Sequence, residues 1–138
     1  RRFGDSSRER LATIVVLDQF TRNIHRDTPL AFAGDAQALG LARTMTERGG
    51  DLALPPVQRG FVYLPFEHAE DLDMQDRAVR CFEALTGDAP DLHNLLAYAH
   101  KHRDVIRRFG RFPHRNAILG RADTPEERAF LAQPGSRF

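Results

Sequence analysis

Apolar residues recur along this chain at spacings of three and four and nowhere settle into a convincing alternation with polar ones, a pattern of helices rather than strands. From Leu11 to Ile24 it predicts one helix, with Leu11, Ile14 and Val15 on one stripe, Leu17, Phe20 and Ile24 nearly opposite, and Val16 between them. A helix apolar nearly all round is expected to be buried. Ser6 and Glu9 have capping-box spacing at its start. Thr28-Pro29 predicts a second helix, with threonine as cap and proline in the first turn, ended by Gly49-Gly50. Leu54-Pro55-Pro56 begins a third, which Pro65 limits or kinks near Phe66. The acidic stretch Glu67 to Asp76 leads into a fourth, with Val79, Phe82 and Leu85 on a stripe and Gly87 as its stop. Pro90-Asp91 opens a fifth, in which Leu92, Leu95, Leu96, Ala99 and Ile106 share a face, ended by Gly110. The loop Arg111-Phe112-Pro113-His114 then leads to a short turn closed by Gly120, and Thr124-Pro125-Glu126-Glu127 repeats the capping-box signal ahead of a last short helix. The expectation is one all-α domain over residues 1–138, built from antiparallel hairpins of about six helices.

The first helix breaks its own pattern. Asp18 and Arg22 continue the stripe of Leu11, Ile14 and Val15, four residues apart and able to pair, and Gln19 and Asn23 repeat the spacing about a quarter turn away. Buried without partners, such groups would each cost several kcal/mol, so other segments must answer them. Two segments qualify. Tyr63 to Asp71 sets His68 amid Glu67, Glu70 and Asp71, and Lys101 to Arg115 holds Lys101, Arg103, Arg107, Arg108, Arg111 and Arg115 against Asp104 alone. On the fifth helix His102 and Arg103 flank the apolar face and are drawn toward the core. Opposite charge predicts that the acidic and basic segments meet.

Composition narrows the setting. A chain of 138 residues, 41% apolar and 28% charged, has the make-up of one globular domain. Its longest apolar run, Ile14 to Leu17, is far short of a membrane span, and Arg1 to Asp5 is no secretory signal. Cys81 is the sole cysteine, so no intrachain disulfide or cysteine-rich zinc site forms, and a cytoplasmic home is expected. Its place among Val79, Phe82 and Leu85 points to inert packing. A net charge of +1 argues against a dedicated nucleic-acid binder. All the basic residues but Lys101 are arginine, suited to bidentate pairing and equally to a GC-rich genome.

Candidate chemistry gathers in these three segments. His68 beside Glu70 or Asp71 has the make-up of a carboxylate-oriented general acid or base, and equally of a helix-end histidine bonded to a carbonyl. His114 is a second candidate base. Arg111, Arg115 and Asn116 suit an anion cradle at the start of a helical turn, or a hydrogen-bonded connector packed through Phe109, Phe112 and Pro113. Three readings follow. A helical module binds a small anionic ligand or an acidic peptide through Asp18, Arg22, Asn23, Arg111, Arg115 and Asn116. A small-molecule hydrolase uses His68, Glu70 or His114. A purely structural network fixes how the helices cross. Glycine-rich phosphate loops, nucleophile elbows and His-Glu-x-x-His or Glu-x-x-His motifs are absent, so neither a metal nor a cofactor is expected.

The same segments carry a family resemblance. Leu17-Asp18-Gln19-Phe20-Thr21-Arg22-Asn23 resembles the LDQFxRN signature of the bacterial family known as domain of unknown function 924. Tyr63 through Asp71 is similar to its YLPFxHSED segment, with Ala69 where serine is usual, which weakens any serine nucleophile there. Arg108-Phe109-Gly110-Arg111-Phe112-Pro113-His114-Arg115-Asn116, with Leu119-Gly120-Arg121 and Thr124, Glu126 and Glu127 after it, resembles its closing signature. The resemblance covers the chain from about Arg10. It implies a tetratricopeptide-like all-helical fold in a cytoplasmic bacterial protein, with further opening helices before Arg1. It brings no reaction with it.

Overall fold

The computed structural model describes the backbone from Phe3 to Phe138 and the side chains from Ser7 onward. Helix α1 (Phe3–Val15) passes without a break through a π-helical segment (Val16–Phe20) into α2 (Thr21–Ile24). The helix thus starts ahead of the Ser6–Glu9 pair, and the Ser6 side chain lies outside the described residues. The π segment, in which the Thr21 N–H bonds back to the Val16 carbonyl, is the element the apolar pattern does not announce. Such insertions change the angular phase of the residues after them and recur at functional sites.

The helix predicted from Thr28 to Gly49 is divided. Pro29–Phe32 forms a single 3-10 turn, and α3 (Asp35–Glu47) begins only after Gly34. The reason is a backbone crossing: a Cβ at Gly34 would stand 2.3 Å from the Leu17 carbonyl oxygen. Only glycine lets this turn lie against the π segment, and that contact brings Asp35 to Arg22 in α2.

Helix α4 (Pro56–Glu67) carries Pro65 in its last turn, and α5 (Leu72–Asp88) is capped by Asp71, whose carboxylate accepts the Met74 N–H at 3.1 Å. Helix α6 (His93–Phe109) ends at Gly110 with φ 75°, the left-handed conformation glycine tolerates. Helix α7 (Asn116–Leu119) follows a 3-10 turn over Pro113–Arg115, and α8 (Pro125–Leu131) opens on a complete Thr124–Glu127 capping box.

Helices α4, α5 and α6 pack in succession through short connections, and α1 lies across α3 and α4. Ile14, Met45, Val62, Tyr63, Phe66, Val79, Phe82 and Leu85 are fully enclosed between them, with Ala38, Ala42, Ala78 and Ala99 allowing close approach of the backbones. A smaller cluster of Val105, Ile106 and Phe112, with Phe109 and Phe130, seats the C-terminal arm. The first helix is not buried all round: Leu11 and Ile14 face the core, whereas Val16, Phe20 and Ile24 stand exposed. The described residues contain no strand, and no helix among them is long and apolar enough to cross a membrane.

Candidate functional site

Asp18, in the π segment, points into the protein and is 1% exposed. Its Oδ1 lies 2.8 Å from His68 Nδ1 and 3.2 Å from Arg22 Nη1, while Gln19 donates to its Oδ2 at 2.5 Å. Arg22 also donates to the Asp18 carbonyl at 3.1 Å and to Asp35 Oδ2 at 2.9 Å. Burial alone would push the Asp18 carboxyl up, but the His68 bond and charge, Arg22 and Gln19 outweigh it and hold the group below the ordinary carboxylate range. Asp18 is therefore an anion. Arg22 Nη1 also comes within 3.0 Å of His68 Nδ1. One nitrogen of a neutral imidazole cannot both donate to Asp18 and accept from Arg22. We assign the Nδ1 proton to the Asp18 bond, since a lone pair there would face a buried carboxylate. Nε2 is then the basic nitrogen, and no protein group bonds it among the described residues.

His68, which ends α4, stands in the wall of a pocket of about 130 Å³ lined also by Asp35, Ala36, Leu39, Pro65, Ala69, Glu70 and Arg115. Arg115 enters from the opposite end of the chain. Its guanidinium lies between two rings, 4.5 Å from the Phe32 centroid and 4.8 Å from that of Phe112, and it donates to the His68 carbonyl at 2.8 Å. Such stacking contributes roughly 0.5–2 kcal/mol per ring. Burial, with Arg22 nearby, lowers Arg115 to about 10, so it remains a cation at neutral pH. Two atoms at this pocket are left over: Arg115 Nε and Asp35 Oδ1 are buried without a hydrogen-bond partner. Burial raises the Asp35 carboxyl above its usual value against the pull of Arg22 and Arg115.

Behind His68 lies a second layer. Glu67 is buried, and its nearest base among the described residues is His102 Nδ1 at 3.8 Å, a nitrogen already 2.8 Å from the Tyr98 carbonyl. Burial and the Asp18 charge push Glu67 up to about 8, so it is largely a neutral acid at pH 7. His102 and His114 are both pushed down to about 4, chiefly by burial, and both rings pack on Phe112 and Phe138. His114 Nδ1 has no partner.

The remaining sequence candidates go elsewhere. Glu70 does not orient His68: it takes a two-pronged bond from Arg121 at 2.9 and 3.1 Å and accepts the Phe112 N–H at 2.6 Å. Arg111 forks onto Glu127 at 2.7 and 2.8 Å and reaches the Ala122 carbonyl, and it holds the Glu127 carboxyl down at about 2. Asn116 is enclosed between Asp123 and Arg121 at 2.8 and 3.0 Å. Asn23 is exposed to solvent, so the Gln19–Asn23 spacing makes no buried pair. Asp18, Arg22, His68 and Arg115 converge; Asn23, Arg111 and Asn116 do not join them. Asp35, Glu67 and His102 complete the cluster. His102 carried a signal, its place beside an apolar face. Asp35 carried none, because an acid after glycine reads as an ordinary helix start. Nowhere among the described residues do three or more His, Cys, Asp or Glu side chains gather as metal ligands do.

The sequence model of a family described as a bacterial protein of unknown function, DUF924, matches residues 2–135. This chain belongs to the DUF924 family. A solved structure of a protein of unknown function from Agrobacterium tumefaciens shares 43% sequence identity and superposes with a TM-score of 0.85, covering 94% of this chain and 70% of that one. Comparison with curated proteins finds no match. Neither description names an activity, so any function for this DUF924 member must be argued from its side chains.

Proposed function

We propose that the Asp18–His68 pair performs general acid–base chemistry on a small anionic molecule anchored by Arg115. The observation that carries this reading is the 2.8 Å contact between Asp18 Oδ1 and His68 Nδ1 in a pocket wall that Arg115 shares. Asp18 holds the imidazole in one tautomer and offsets the charge it gains when Nε2 takes a proton. A proton removed from water or from substrate by Nε2 would return to the leaving group from the same nitrogen. Arg115, a cation at neutral pH, would steady the negative charge that develops on the substrate. Such assistance contributes about 10²–10⁴ in rate.

An anion cradle of Arg111 and Asn116 loses support, because both spend their hydrogen bonds inside the protein. A pocket of about 130 Å³ suits a small molecule better than an acidic peptide. A single unpaired Cys81 is consistent with the reducing bacterial cytoplasm.

The test is a turnover screen against small carboxylate, ester, amide and phosphate-ester substrates, run with wild type, His68→Asn and Asp18→Asn. We expect His68→Asn to abolish turnover and Asp18→Asn, which loses the tautomer, to lower it at least a hundredfold. Turnover that survives unchanged in both variants would remove the reading.

A further inference from the structure

The two unpartnered atoms at the pocket are of opposite kinds. Arg115 Nε is a hydrogen-bond donor and Asp35 Oδ1 an acceptor; both are buried and neither bonds the other. Each belongs to a residue that is otherwise anchored, Asp35 through Oδ2 to Arg22 and Arg115 through Nη2 to the His68 carbonyl. A ligand that offers one acceptor to the arginine and one donor to the aspartate would satisfy both.

Size and charge narrow it further. About 130 Å³ is the volume of roughly four liquid waters at ~30 Å³ each, enough for a two- or three-carbon acid. Phe32 and Phe112 flank the Arg115 guanidinium at 4.5 and 4.8 Å, and a planar carboxylate matches the N–H edge of such a group. Inorganic phosphate, a mixture of monoanion and dianion at neutral pH, would bring more negative charge than a carboxylate against Asp35 and Glu70 in the same wall.

We propose that this pocket binds a small carboxylic acid bearing a hydroxyl or ammonium group on the carbon next to the carboxyl, with the carboxylate on Arg115 and that donor on Asp35. Both protein atoms are closed off from water, so engaging them takes a rotation of the guanidinium in its slot between the rings, held there by one protein hydrogen bond. The ligand then sits beside His68, and this inference rests on the acid–base reading for its purpose. Binding itself requires no proton transfer, so the two fail separately.

Glycolate, glycine, acetate and inorganic phosphate are titrated into the protein, with amide and His68 ring resonances followed by NMR. Glycolate or glycine is expected to bind at least about tenfold more tightly than acetate, which lacks the donor, and phosphate more weakly still. Asp35→Ala should erase the preference over acetate, and Arg115→Met should abolish binding of every probe while the thermal melt stays cooperative. Arg115→Lys, which keeps the charge without the planar fork, should restore only part of the affinity. Equal affinity for acetate and glycolate, tighter binding of phosphate, no binding of glycolate or glycine, or binding indifferent to Arg115→Met each overturns the proposal. His68→Asn separates the two claims. Glycolate or glycine binding as proposed, with no His68-dependent turnover of any substrate, removes only the acid–base reading. His68-dependent turnover without glycolate or glycine binding removes only the ligand.

Discussion

Two arginine-rich neighbourhoods meet near Phe112, and they end differently. Around α7 and α8 two sets of hydrogen bonds hold the arm, Arg111 with Glu127 and Thr124, and Arg121 with Glu70, Asn116 and Asp123. Around the end of α4, Asp18, Arg22 and His68 are paired, but Arg115 Nε and Asp35 Oδ1 are not. The first region has used its polar capacity to hold the C-terminal arm. The second keeps some in reserve beside a pocket. The contrast teaches that the motif around an arginine does not reveal what the arginine does. Arg111 and Arg115 stand four residues apart, yet one forks onto a carboxylate and the other donates to a backbone carbonyl.

Substitutions should separate the two regions by what they damage. The largest loss of stability is expected from Glu127→Ala, which strips the fork from Arg111 and breaks the α8 capping box; chemical denaturation should read on the order of 3 kcal/mol. A loss under about 1 kcal/mol would mean that these bonds hold little. Next comes Glu67→Gln. A carboxyl that titrates near 8 in the fold and near 4.5 when unfolded binds a proton only in the native state between those values, so wild-type stability falls as pH rises through that window. The amide removes this penalty, and the variant should gain on the order of 2 kcal/mol at pH 8 and nearly nothing at pH 5. An equal gain at both values would show that Glu67 is not a buried neutral acid.

A smaller effect has the opposite sign. His102 and His114 titrate near 4 in the fold against about 6.5 unfolded, so unfolded histidines bind protons that the native ones refuse as pH drops from 6.5 to 4. Stability is lost on the way down, and His114→Gln should flatten the slope by about 1 kcal/mol per pH unit, measured against wild type. Parallel pH profiles for the two proteins would contradict this. The smallest change in stability, within about 1 kcal/mol, is expected for Arg115→Met, because a flexible apolar side chain keeps contact with both rings and removes the cost of burying a cation that has no salt bridge among the described residues. Should it instead destabilise the fold as much as Glu127→Ala, both regions would be structural and the contrast would vanish.

Most helix positions, the Thr124–Glu127 capping box and the fate of Asp18 were legible from local pattern, whereas Thr28 opens only a 3-10 turn and makes no side-chain cap bond. Polar groups on the stripe of Leu11 and Ile14 had to find partners, and His68 does supply one. The expectation that Glu70 or Asp71 orients His68 fails for a geometric reason: both lie beyond the end of α4, where Glu70 turns to Arg121 and Asp71 caps α5. The split at Gly34, the exposure of Phe20 and the arrival of Asp35 all depend on the π turn and on a backbone crossing. No side-chain periodicity encodes either.

What the amino-acid order determines by itself is therefore the local level: helices from apolar spacing, their ends from glycine, proline and capping residues, and the requirement that Asp18 be answered. Which carboxylate reaches His68, and which arginine is left with an open donor, was decided by how distant segments cross. Hydrogen bonding saturates in three dimensions, so a group's reserve depends on all its neighbours and not on the residues beside it in the chain.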